Sequence, residues 1–170
     1  TYRWLLWGGE SGYAWLNGTG VHDHDIPDAD DFVHAPDAAG PAWHLESVVY
    51  QIFPDRFATT SLEVDAPAWA VRRDWDALPE GRSRNTAREL FGGDLRGVEA
   101  HLDHIEALGA NVVYLTPFFP AGSTHRYDAV SFDRVDPLLG GDEALERLAK
   151  AVHEHGLRLV GDLTTNHTGE

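Results

Sequence analysis

Neither cysteine nor methionine occurs among the 170 residues. The missing thiols exclude a disulfide scaffold, a cysteine nucleophile and Cys-ligated zinc, while leaving the redox compartment open. Without Met even at position 1, the sequence reads as processed or as a piece of something longer. Positive charge is scarce: 13 Lys+Arg stand against 28 Asp+Glu, a formal net charge of −15. Such a balance repels phosphate backbones and anionic lipid, so neither nucleic acid nor a membrane surface is expected as a partner. No apolar run approaches the roughly 18 residues that a membrane helix needs. Internal repeats, low-complexity tracts and a visible secretory signal are absent too, and the last of these points to the cytoplasm.

What is present suits a folded chain. At roughly 100–200 residues per domain the length predicts one domain or parts of two. The 42% hydrophobic content is that of globular proteins. Six Trp accompany five Tyr and seven Phe. They serve either a Trp-rich core or aromatic platforms for a flat neutral ligand such as a sugar ring.

Apolar residues at helical spacing (Leu95, Val98, Leu102, Ile105, Leu108) predict a helix from Gly93 to Gly109, with Asp94 in its first turn and Gly109 just past its end. A second helix is predicted from Asp142 to Gly156, with Leu145, Leu148, Ala149 and Val152 inside and Glu146 to Lys150 as an exposed pair. Short apolar runs at Val48–Phe53, Asn111–Thr116 and Leu157–Leu163 read as strands, the first two covered on both faces. The order β-α-β-α-β implies an α/β fold with parallel strands. Helices return to strands through one or two residues, whereas roughly 40 residues follow Phe53 and roughly 25 follow Thr116. Long loops at the C-terminal ends of parallel strands are where α/β enzymes place their chemistry.

The first 40 residues differ in character. Tyr2–Trp7 and Tyr13–Leu16 read as an antiparallel hairpin about the Gly-rich turn Gly8–Gly12, followed by an acidic stretch, His22–Asp31. That stretch lacks the glycine a calcium loop needs at its sixth position, so it is expected to be a solvated turn and not a metal site. Ala35–Pro41 reads as a linker. Residues 1–40 are therefore expected to be the end of an N-terminal β domain and its linker, and residues 41–170 a second domain.

Among the motifs, Phe91–Gly97 (FGGDLRG) lacks dinucleotide-fingerprint spacing and reads as two glycines feeding a helix. Asp55-Arg56 reads as a local ion pair or turn lock. His125, Arg126, Tyr127 and Asp128 lie in the second long loop, where they serve either loop packing or a ligand. Asp162, Asn166 and His167 stand at the mouth of the third strand, converging with both long loops on one cavity.

Taken in order, VVYQIFPDRF (48–57), FGGDLRGVEAHLDHIEALGANVVYLTPFF (91–119), HRYD (125–128), DPLLGG (136–141) and DLTTNHTG (162–169) resemble the motifs of the α-amylase family, glycoside hydrolase family 13. The resemblance covers residues 43 to 170 and is closest to the cyclomaltodextrinase, neopullulanase and maltogenic amylase group. It implies a TIM (β/α)8 barrel, of which this chain would carry the first three β/α units after the end of an all-β domain. By the same resemblance His167 matches the His that hydrogen-bonds the sugar at the reacting subsite. Tyr127 matches the Tyr that stacks under that sugar, and His125 faces the substrate. Asp128 and Asp162 match acidic residues that shape the subsite floor. Asn166 stands where many relatives place a calcium ligand. The stretch Ala58–Val64 lacks the Asn/Gly/Asp-rich run that binds calcium in some relatives, so no cofactor is expected to be required.

The family's catalytic carboxylates lie after later strands. A retaining glycosidase needs two carboxyls about 5–5.5 Å apart, one nucleophilic and one protonated. No Asp or Glu here matches either, so the catalytic residues are expected downstream of residue 170. The resemblance implies a retaining hydrolase of maltooligosaccharides, cyclodextrins or pullulan, homodimeric in its full-length form. Two readings stand beside it: an α-glucosidase or glucan transferase of the same family, and a non-catalytic family-13-like sugar-binding protein.

Overall fold

The computed structural model describes residues 1–8, 12–35 and 40–169. The centre of the expected hairpin turn, most of the expected linker and Glu170 lie outside them. The chain divides into two compact units, Thr1–Leu45 and Glu46–Glu170.

In the first unit β1 (Trp4–Trp7), β2 (Tyr13–Asn17) and β3 (Gly20–His22) form an antiparallel sheet in that order. The acidic stretch that follows stays mostly exposed, as a solvated turn should, but it is anchored to the hairpin. Asp31 takes a two-pronged ion pair from Arg3 (2.7 and 2.9 Å). Asp25 accepts 3.1 Å bonds from the Tyr13 hydroxyl and the Trp15 indole, and these hold its carboxyl below the usual range, the indole contributing most. These charge-assisted bonds, with the Ile26 carbonyl accepting a further Arg3 N–H (2.5 Å), stitch the stretch to the hairpin.

The second unit is α/β. Three parallel strands, β4 (Val49–Ile52), then β7 (Val112–Leu115) and β8 (Arg158–Gly161), form a sheet in the order β4-β7-β8. Between β4 and β7 lie a small parallel pair, β5 (Val71–Arg72) and β6 (Glu89–Leu90), and the helices α1 (Leu95–Glu99) and α2 (Leu102–Ala107). Helix α3 (Gly141–Glu154) joins β7 to β8. Ile52, Val113 and Leu115 pack with Leu95, Val98, Leu102, Ile105, Ala144, Leu148 and Val152 into one core. Only the central β7 is buried along most of its length, as expected of a covered strand. In β4 the alternate residues Val49 and Gln51 are exposed, which corrects the expectation for that strand.

The expected helix from Gly93 to Gly109 is broken into two. At His101 the ring Nδ1 lies 2.8 Å from the Gly97 carbonyl, and the His101 N–H turns to Val98 instead. A side chain has taken the acceptor that the backbone needed. The apolar stripe survives the break through Ile105, but Leu108 is exposed. In α3 the expected Glu146–Lys150 pair gives way to Lys150 and Glu154, 3.7 Å apart.

The first long loop is tied down at its root. Asp55 is fully buried, ion-paired to Arg56 (2.8 Å) and accepting the N–H groups of Phe91 and Gly92, so the turn-lock reading holds. Gly93 is there for proximity: a Cβ on it would sit 2.2 Å from the Pro54 carbonyl oxygen. Gly92 beside it serves conformation instead, with a φ of +85 and open space where a Cβ would stand. Among the described residues, no helix is long and apolar enough to cross a membrane.

Candidate active site

The candidate residues gather beyond the C-terminal ends of β7 and β8. Gln51, Tyr114 and Val160 are register partners, so they share the sheet face opposite the helices. Two residues past Val160 on that side comes Asp162, whose N–H still bonds the Leu115 carbonyl. Its carboxylate accepts the Tyr127 hydroxyl at 2.8 Å, and Asp162 also holds the Tyr114 phenol above its usual value. The bond to Asp162, then partial burial, pushes the Tyr127 phenol up to about 12. Tyr127 is therefore a neutral hydroxyl donor across the working range, with a ring 38% exposed.

The loop that carries Tyr127 is held from inside. Arg126 takes φ +59, is fully buried, and reaches Asp136 through Nε (2.8 Å) and the Thr124 carbonyl through Nη1 (2.6 Å). With Arg126 turned inward, its neighbours are left half-buried (His125) and exposed (Tyr127), their rings 5.8 Å apart and tilted by 33°. The Tyr127 N–H points at His125 Nδ1 (3.2 Å), which assigns the ring proton of neutral His125 to Nε2. Ser123 donates its hydroxyl to Asp128, and His125 lies 3.9 Å from the same carboxylate.

The last segment is fastened to that loop at Gly169. Its N–H bonds the Ala129 carbonyl (2.8 Å), and a Cβ there would fall 2.1 Å from the Asp128 carbonyl oxygen. Residues 163–168 and Phe132 line an open cavity of about 580 Å³. His167 is exposed within it, its Nδ1 2.5 Å from the Asn166 side-chain oxygen. Asn166 is thus engaged by its neighbour. Among the described residues the only cluster of three metal-type ligands is Asp103, Glu106 and His155, away from these loops.

The structure thus brings Tyr127, His125, Asp128 and Asp162 into one network and places Asn166 and His167 in the adjoining cavity. Tyr114 and Ser123 went unnoticed in the sequence. Strand alternation could have found Tyr114, because it sits two residues after Val112 and opposes the core-facing Val113 and Leu115.

A family model for the α-amylase catalytic domain matches residues 51–170. The chain belongs to the α-amylase family. Among family members, a cyclomaltodextrinase from Bacillus sp is 40% identical over 129 residues, covering 76% of this chain and 22% of that protein. An intracellular maltogenic amylase from Bacillus subtilis (strain 168) is 38% identical over 139 residues, covering 81% of this chain and 22% of its own length. A solved cyclic alpha-maltosyl-(1-->6)-maltose hydrolase from Arthrobacter globiformis, in complex with cyclic alpha-maltosyl-(1-->6)-maltose, superposes with a TM-score of 0.66. It is 43% identical, over 75% of this chain and 27% of that one. The chain spans about 22% of the length of the curated α-amylase relatives it matches.

Proposed function

We propose that this chain is the substrate-binding front of a retaining α-glucoside hydrolase acting on maltooligosaccharides, cyclodextrins or pullulan. The observation that carries the reading is the Tyr127–Asp162 bond of 2.8 Å, made between two loops at the strand mouths. It holds a half-exposed aromatic ring in a fixed orientation beside His125, the arrangement that a sugar's C–H face and hydroxyls need. His167 borders the same region as a further polar contact. The catalytic carboxylates are supplied by the remainder of the protein. An intracellular location belongs to the same reading and rests on the name of the Bacillus subtilis relative, an intracellular maltogenic amylase.

The test is kinetic, in the full-length protein. Tyr127→Ala and His167→Ala should each lower kcat/KM on maltotriose or cyclodextrin by roughly 10²-fold, about 2.7 kcal/mol of transition-state stabilisation. Near-wild-type kinetics in a folded variant would remove that residue from the reacting subsite.

A further inference from the structure

Three depressions on the first long loop share walls, and the chain they form ends at His125. The largest, about 580 Å³, is lined by Glu63, Asp65, Arg72, Trp75 and Phe91 among others. Trp75 and Phe91 also wall a second of about 250 Å³, together with Arg56. Arg56 in turn walls a third of about 310 Å³, which His125 also lines. The run of cavities therefore leads from the Tyr127–His125 site along Arg56 to Trp75 and on to the carboxylates.

Its walls are firm. The Arg56 guanidinium is clamped by Asp55 and the Glu89 carbonyl (3.0 Å), and lies over the Phe91 ring, 4.3 Å from its centroid. Asp55 also holds the Phe91 N–H, so one buried carboxylate sets both faces of the middle section. Trp75 is 39% exposed, and among the described residues its indole N–H has no hydrogen-bond partner. An indole that offers both a ring face and an unmet donor suits a ligand with apolar faces and hydroxyl edges. Arg72 shares the largest cavity with Glu63 and Asp65, and the Arg56 charge is met by Asp55, a mixture of signs that favours a neutral ligand over an anion or a cation.

We infer that this groove binds the outer glucosyl units of a long α-glucan, with Trp75 as their stacking platform. The inference rests on the glucan reading above, and it adds a determinant of chain-length preference. The experiment compares kcat/KM for maltoheptaose with that for maltotriose in the full-length protein and in Trp75→Ala and Trp75→Phe. Trp75→Ala should reduce the heptaose-to-triose ratio about tenfold, the loss of roughly 1.4 kcal/mol of stacking. Trp75→Phe, which keeps a ring, should retain most of the preference. Because a ratio is read, a general loss of folded protein cancels. An active wild-type protein whose ratio is unchanged in Trp75→Ala would overturn the groove and leave the hydrolase reading standing. A wild-type protein that neither binds nor cleaves either sugar would overturn both.

Discussion

The two loops that leave the sheet are each rooted by an arginine–carboxylate pair, and the pairs are buried the opposite way round. In the first loop the carboxylate is hidden: Asp55 is fully buried, while the Arg56 side chain keeps 24% of its surface. In the second the arginine is hidden: the Arg126 side chain has no exposure, and Asp136 keeps 7%. A buried anion gathers backbone N–H groups, and Asp55 uses Phe91 and Gly92 to fold the loop back onto α1's entry. A buried cation gathers carbonyls and carboxylates, and Arg126 uses Thr124 and Asp136 to turn two aromatic neighbours outward. The pairs also feel each other, since Arg126 counteracts the burial that pushes the Asp55 carboxyl up. Each ligand-facing surface thus stands on a charge that no ligand reaches.

Removing one partner tests how far the two roots differ. Arg126→Gln leaves Asp136 nearly buried with its cation gone, which should cost about 3–5 kcal/mol. Arg56→Gln should cost less, because Asp55 keeps two backbone donors and Arg126 nearby. Urea unfolding of the full-length protein measures both. The comparison breaks if Arg56→Gln is the more damaging. Asp136→Asn added to Arg126→Gln should recover part of the loss, since the uncompensated charge is removed.

A smaller effect is expected at the start of α1, where the first loop ends. Asp94 is buried, caps the helix through the Gly97 N–H (2.8 Å), and takes both the N–H and the hydroxyl of Thr60 at 2.8 Å. Asp94→Ala should lose about 2 kcal/mol, the upper end for an N-cap, because two cross-loop bonds go with it. Asp94→Asn should lose less, having an oxygen to offer. Equal losses in the two variants would mean that charge alone, not capping geometry, holds the junction.

The sequence made the strand and helix order legible because hydrophobic period and glycine stops are local signals. It made the site's exposed members legible through their place beyond strand ends. What it hid were relations decided across the fold. His101 breaks a helix whose apolar stripe is uninterrupted, because one ring nitrogen competes for one carbonyl. Arg126 sits among three residues that read as ligand-facing, and only the left-handed turn at that position shows it facing inward. The placing of Tyr114 near Asp162 needs the register of β7 against β8, which no periodicity reports. The anchoring of the acidic stretch after β3 was hidden for the same reason: its partners Arg3, Tyr13 and Trp15 lie before or within other strands.

The smallest expected effect is a titration, and it separates the two loops by cause. The Asp55 carboxyl is shifted chiefly by burial, whereas the Tyr127 phenol is shifted chiefly by its bond to the carboxylate of Asp162. A phenol raised from 10.0 to about 12 binds its proton more tightly in the folded state. Whatever stability the bond contributes is therefore whole below about pH 10 and is lost as pH climbs towards 12. Tyr114 is raised in the same direction by the same carboxylate. Asp162→Asn removes the charge that opposes a phenolate while leaving an oxygen to accept the bond. Both tyrosines should then ionise at lower pH, so alkaline difference absorbance between Asp162→Asn and the parent protein should show extra phenolate between about pH 10 and 12. Since Tyr127 is more than one-third exposed, solvent screens the interaction, and the change in melting should be slight while the spectral change is plain. Coincident titration curves would mean that the Asp162 charge does not govern the phenol, and the ring at the mouth of β8 would then owe its placement to packing alone.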